Sequence, residues 1–304
     1  MNLNKKIAII IVNWNTYELT RSCIWSLMNC RYNDLEIFLV DNNSKDNSVS
    51  KLKKEFKKIN YIINNKNTGF SCANNKAINI ILKKNFDFIM LLNSDTEVSA
   101  LFLNPLIETF NSNKLIGAVQ PLILNWDDKS TIWKYEGIFN YFLGLTIHKN
   151  KRTNIIENLE TTKFTDWISG CCFITTPSVL KEVGLLDEIY FAYFEDVDWS
   201  LRLRKKGYLL GLNKNSIIYH HESGSSKSSQ KQKEGYLSPK SHYYNFRNHI
   251  IFLRKHYKEF NFYGAILYQL FKILLYNSYF IIRFRRKKLI NLWKGVYDGL
   301  TIKI

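Results

Sequence analysis

Three carboxylates, Glu195, Asp196 and Asp198, stand within four residues in the stretch YFEDVDWSLRLRKKG. Acids this close can exchange protons with a substrate or hold a cation. They can equally be the acidic start of a helix. Val197 and Leu201 share one helical face, and Asp198 stands four residues before Arg202. Arg204, Lys205 and Lys206 then fill a last turn, with Gly207 just past it, an order that suits the helix macrodipole. Two further acids, Asp41 and Asp95, close or nearly close the apolar runs IFLVD and FIMLLNSD. Two histidines, His220 and His221, follow the apolar run SIIY. A hard divalent cation on a diphosphate needs only one or two protein ligands, and Asp95 with one of these histidines meets that need.

The elements that must position these groups read as an α/β alternation. IAIIIV is a continuous β-branched run, as expected of a parallel strand covered on both faces. YELTRSCIWSLMNC has helical spacing, and LEIFLVD returns as strand. VSKLKKEFKKI, NYIINN, CANNKAINIILKKN, FDFIMLLNSD, LFLNPLIETFNSN and IGAVQPLIL continue the alternation, which predicts a mainly parallel sheet. Ligands of such sheets bind beyond the C-terminal strand ends, so Asp41 and Asp95 are expected at one crevice. Residues 126–165 lose the pattern and read as an irregular or hairpin segment flanking a site. Residues 223–241, rich in Ser and Lys, read as a long lid-like loop in which Lys227, Lys231 and Lys233 would close over a diphosphate.

Composition narrows the classes. The 304 residues carry 43 Lys and Arg against 26 Asp and Glu, for a net charge of +17, which points to an anionic partner. Basic residues are spread over many segments without a nucleic-acid motif, so a nucleic-acid-binding protein is the weaker reading. Five cysteines without a CxxC pair argue against a disulfide framework or a cysteine zinc site and fit a reducing cytoplasm. The first apolar run, Ile7 to Val12, is too short for a signal peptide. GxGxxG, the P-loop and GxSxG are all missing from the chain. A sugar-nucleotidyltransferase would want a Gly-rich basic loop after the first strand, where NWNTYE stands instead. From Tyr243 onward the chain turns aromatic and basic, and the apolar run over 264–282 is long enough to span a bilayer or lie on it as an interfacial helix.

Seven segments in order, IIVNWN, VDNNSKDNS, NKNTGFSCANN, LLNSD, ISGCCFI, VGLLDEIYFAYFEDVDWSLRLRKKGY and IIYHHESGSS, make residues 5–226 resemble a family 2 glycosyltransferase of the rhamnosyltransferase-like kind. The resemblance implies the GT-A fold, with a Rossmann-like catalytic domain over 1–241, and the aromatic and basic residues from Tyr243 onward add an expected C-terminal membrane-associating helical extension over 242–304. It implies that Asn13, Asp41, Asn67, Gly69, Phe70, Asn93 and Ser94 bind a nucleotide sugar. Asn93 stands where the family has the first acid of its DxD-type motif. Asp95 then binds Mn2+ or Mg2+, with His221, in an H-x-x-G-x-S frame with Gly224 and Ser226, as the second contact and His220 as the alternative. Asp196 is implied as the general base and Glu195 as its helper. The implied reaction moves a sugar, from dTDP-rhamnose or a UDP-sugar, to a hydroxyl of a glycan or lipid-linked glycan with inversion. The implied setting is the inner face of a bacterial cytoplasmic membrane, with an anionic lipid surface and no nucleic acid as partner. The sugar, the linkage and the oligomeric state stay open at this point.

Overall fold

In the computed structural model, which describes residues 5–149, 153, 156–157, 159–221 and 237–304, the apolar run Ile7 to Ile11 is fully buried in the first strand, β1 (Ile7–Asn13). Its alternate residues feed two cores. Ile7, Ile9 and Ile11 face one side of the sheet, and Ala8 and Ile10 the other. That two-sided burial is why the run is continuous rather than alternating.

Along the chain come α1 (Tyr17–Met28), β2 (Leu35–Asp41), α2 (Ser48–Glu55), β3 (Asn60–Ile63), α3 (Gly69–Ile81), β4 (Phe88–Asn93), β5 (Thr96–Val98), α4 (Leu103–Ser112) and β6 (Ile116–Asn125). The hairpin segment follows as β7 (Ile132–Lys134), β8 (Glu136–Asn140), β9 (Leu145–Lys149) and β10 (Thr162–Thr165). Then come β11 (Cys172–Thr175), α5 (Pro177–Val183), α6 (Glu195–Lys205) and β12 (Leu209–His220). The C-terminal part is α7 (Pro239–Lys255), α8 (Phe262–Ile282) and α9 (Arg286–Thr301). The main sheet runs in the order β10-β12-β6-β11-β4-β1-β2-β3. Strands β3, β2, β1, β4, β6 and β12 share one direction, and β11 runs against both its neighbours. The expected mainly parallel sheet is present, with β11 antiparallel near its middle because it returns from the hairpin segment.

The main core on one face packs α3 residues Ala73, Ala77 and Ile78 with Trp199 and Leu203 of α6. The other takes Cys23, Ile24 and Leu27 of α1 and Leu103, Leu106 and Ile107 of α4. A third cluster joins Val197 and Leu201 of α6 to Ile251 and Phe252 of α7. Strand β5 had no sequence signal, being three residues long. The apolar C-terminal run breaks at Phe284, which has a φ of 51°, so the basic cluster opens a separate helix rather than ending α8.

Candidate active site

Adjacent parallel strands bring their polar ends together. Asn13 pairs in register with Asp41, and Val12 with Asn93. Asn13 donates its Nδ2 to Asp41 Oδ1 at 2.8 Å, and the Ser44 N–H donates to Asp41 Oδ2 at 2.9 Å. The Thr16 and Thr20 hydroxyls fix the other side of the Asn13 amide at 3.0 and 2.8 Å. Asp41 is thus buried with both oxygens hydrogen-bonded, and Asn13 orients it. Asn42, which the sequence reading passed over, is the hub of the next loop. Its Nδ2 donates to Asn67 Oδ1 and the Gly69 carbonyl at 3.0 and 3.1 Å. Its Oδ1 accepts from the Thr68 N–H at 3.0 Å.

Gly69 opens α3 with φ of 83°, and a Cβ there would overlap the Phe191 carbonyl oxygen. Only glycine combines that backbone with that approach. The Phe70 N–H then donates to the same Phe191 carbonyl at 2.6 Å. Asp196 reaches this floor through Gly170, whose N–H donates to Asp196 Oδ2 at 2.7 Å. A Cβ at 170 would lie 3.5 Å from both Asp196 Oδ2 and the Phe70 ring. Gly170 is therefore where Phe70 and Asp196 meet. The Val197 N–H donates to Asp196 Oδ1 at 2.8 Å. With both oxygens held by backbone N–H groups, the carboxylate has a fixed direction.

On the adjacent residue the other half of the site begins. Cys171 is buried against His220, and its thiol is held above its usual range first by burial. Asn93 is tied to Cys171 through a 2.8 Å backbone hydrogen bond, and Thr16 Oγ1 lies 3.4 Å from Ser94 Oγ. His220 Nε2 lies 3.2 Å from Asp95 Oδ1, and its ring lies 4.1 Å from that of Trp133. Burial pulls the His220 imidazolium down, but the neighbouring Cys171 and the Asp95 carboxylate outweigh it and raise its pKa above the usual imidazole range. Since the thiol stays protonated, the carboxylate is the cause that matters. His221, the first choice from the sequence, turns the other way. Its ring stacks on Trp126 at 4.2 Å, and its Nε2 lies 3.8 Å from Glu97. His220, the last residue of β12, faces Asp95, while His221, just past the strand, lies against Trp126 instead.

Glu195 is buried beside Asp196, and its Oε2 has no hydrogen-bond partner among the described residues. Burial first, then the Asp196 charge, pushes its pKa up to about 8. Asp198 differs in kind. It is fully buried, pairs with Arg202 at 2.8 Å, and meets Lys255 and His256 of α7 at 2.7 and 2.8 Å. Burial opposes its charge, yet His256, Arg202 and Lys255 hold its carboxyl well below the usual range. Asp198 is a strut between α6 and α7.

Asp95 and His220 are two donors, and among the described residues no group of three acids, histidines or cysteines could hold a metal alone. Two protein donors fit Mg2+ or Mn2+ only when phosphates and water complete the shell. The proposed lid lysines, Lys227, Lys231 and Lys233, and the Gly224 and Ser226 of the histidine motif lie outside the described residues.

Co-directional strands ending in Asn13, Asp41 and Asn93, completed by the Asp196-bearing helix, form a GT-A fold. The chain belongs to glycosyl transferase family 2, whose model matches residues 8–184. Glu195, Asp196 and His220 lie beyond that match. The low-salt glycan biosynthesis hexosyltransferase of Haloferax volcanii is 25% identical over 67% of this chain and 64% of its own length. The N-acetylglucosaminyl-diphospho-decaprenol L-rhamnosyltransferase of Mycobacterium tuberculosis is 25% identical over 63% of this chain and 68% of its own. The crystal structure of GalNAc-T7 with UDP, GalNAc and Mn2+ aligns with a TM-score of 0.62 at 16% identity, over 84% of this chain and 48% of that one. The chain thus spans under two thirds of the archaeal relative and about half of the solved structure.

Proposed function

We propose that the protein is an inverting, metal-dependent glycosyltransferase that moves a sugar from a nucleotide-sugar donor to a hydroxyl of a glycan or lipid-linked glycan. The observation that carries the reading is the Asp196 carboxylate, locked by the Gly170 and Val197 N–H groups beside Phe70. Asp196 takes the proton of the acceptor hydroxyl as its oxygen attacks the anomeric carbon. The bond from that carbon to the diphosphate oxygen breaks, the diphosphate leaves, and one displacement inverts the centre. Asp95 and His220 would hold Mn2+ or Mg2+, whose chemistry is to neutralise the departing diphosphate. His220 must release its proton to serve as a ligand. Asn13, Asp41, Asn67, Gly69, Phe70, Asn93 and Ser94 line the donor side in this reading. The M. tuberculosis relative is named for rhamnosyl transfer to a diphospho-decaprenol acceptor, which favours dTDP-rhamnose and a lipid-linked acceptor, with UDP-sugars next.

The setting is the inner face of a bacterial cytoplasmic membrane, with α8 lying on the lipid. Helix α8 is long and apolar enough to cross a membrane, and little of it is buried against the rest of the protein. It is built inside out: Gln269 is buried, while Leu267, Leu270 and Leu274 are each more than 60% exposed.

A panel of nucleotide sugars with Mn2+ or Mg2+, read as nucleotide release, tests the reaction. Asp196→Asn should lower transfer by roughly 10²- to 10⁴-fold, the usual worth of a general base, with nucleotide affinity nearly intact. Wild-type transfer by that variant would refute the base assignment.

A further inference from the structure

The loop that delivers Glu195 and Asp196 is held from outside at five successive carbonyls. Arg247 Nη1 donates to Ile189 O at 2.9 Å, Ser71 Oγ to Tyr190 O at 2.6 Å, and the Phe70 N–H to Phe191 O at 2.6 Å. The last two carbonyls, of Ala192 and Tyr193, both accept from the single Nδ2 of Asn248, each at 2.8 Å. Next in the chain come Tyr193 and Phe194, both left-handed with φ of 70° and 75°. Two consecutive non-glycine residues in that region persist only where their surroundings over-determine them. Asn248 is fully buried on α7, and its Oδ1 accepts from Arg247 Nη1 at 2.7 Å. Its neighbours on α7 grip the same loop. Tyr244 stacks on Phe191 at 5.1 Å, and His249 on Phe194 at 5.0 Å.

We propose that Asn248 is a positioning residue for transfer: its amide clamps the left-handed turn 192–194 and so sets the direction in which α6 presents Asp196 and Glu195. The C-terminal helical segment is then part of the acceptor-side machinery. The donor side on β1 and β2 makes no hydrogen bond to Asn248 among the described residues, and α3 meets the loop upstream of the clamp, at the Tyr190 and Phe191 carbonyls. This inference rests on the proposed glycosyl transfer. A misplacement of about 1 Å at a reacting group costs on the order of 10²-fold in rate.

Asn248→Asp is nearly isosteric and keeps the Arg247 contact, but it turns an oxygen toward the two carbonyls. Expected are a kcat lowered at least ~10-fold, a donor KM within about twofold of wild type, and faster amide hydrogen exchange across 189–198 than elsewhere in α6 and α7. Asn248→Ala, which removes the donors without adding a charge, should do the same. Wild-type kcat in both variants, or kcat and donor KM worsening together, overturns the assignment. Hydrogen exchange needs no substrate. If no nucleotide sugar is turned over by wild type, the proposed reaction fails, while unchanged exchange across 189–198 in the variants independently sinks the clamp.

Discussion

Glu195 and Asp196 are neighbours in sequence with opposite electrostatic situations, and the difference has a measurable consequence. Asp196 is held by two backbone N–H groups. Glu195 is buried with an oxygen that finds no donor among the described residues, and its pKa is pushed up to about 8. A group that binds its proton more tightly when folded makes stability fall as pH rises between its unfolded value, about 4.3, and its folded one. Wild type should therefore lose stability to unfolding from about pH 5 to pH 8 through this side chain. Glu195→Gln removes that slope, so its Tm advantage over wild type should grow across the same interval. Parallel Tm curves for the two proteins would show that the burial does not act on the carboxyl. The acids themselves were legible in the sequence, because type and spacing are visible there. Which histidine faces Asp95 was not. It depends on the phase of β12, whose pairing with β6 shifts register between Asn213 and Ile217. Asn42 was equally hidden, since a hydrogen-bonding hub has no spacing signature.

Helix α6 shows how one element can be read correctly and yet incompletely. The expected Asp198–Arg202 pair and the Gly207 ending, with φ of 86°, are both present. The sequence could not show that Asp198 also receives Lys255 and His256, because those lie some sixty residues on, in a helix whose docking is a tertiary event. The consequence is energetic. Removing one partner of a buried ion cluster strands the others, at a cost of about 3–5 kcal/mol. Asp198→Ala should therefore destabilise by that amount in denaturant unfolding at neutral pH and loosen α7 from α6. In wild type the contribution is present above the unfolded carboxyl value of about 3.9 and is lost as pH falls through the lower folded value. A cost below about 1 kcal/mol, typical of an exposed pair, would refute the strut.

At the scale of the whole molecule, one surface bears on the proposed membrane setting. Helix α8 turns Gln269 and Lys272 inward, where both reach the His249 ring, at 2.9 and 3.2 Å. Its outward stripe carries Tyr263, Leu267, Leu270 and Leu274, and Phe284 beyond the helix is 86% exposed. Exposed Trp293 and Tyr297 of α9 add aromatic surface. Arg283, Arg286 and Lys287 at the turn between the two helices are exposed and supply positive charge. An apolar stripe, aromatic residues and a cationic edge are the three contacts that an anionic lipid interface offers to a helix lying in its plane. The expected outcome is that the full chain floats with vesicles containing phosphatidylglycerol and floats less well with neutral vesicles or in high salt. On the proposed lipid-facing reading, replacing Leu267, Leu270 and Leu274 with Asn would take three apolar side chains out of the lipid, each worth about 1.5–3 kcal/mol when fully buried. Partitioning should drop at least ~100-fold, while nucleotide affinity stays unchanged because none of the three touches the strand ends. Equal flotation of wild type and the triple variant would mean that α8 does not meet lipid, and the basic turn alone would then have to account for any binding that salt removes.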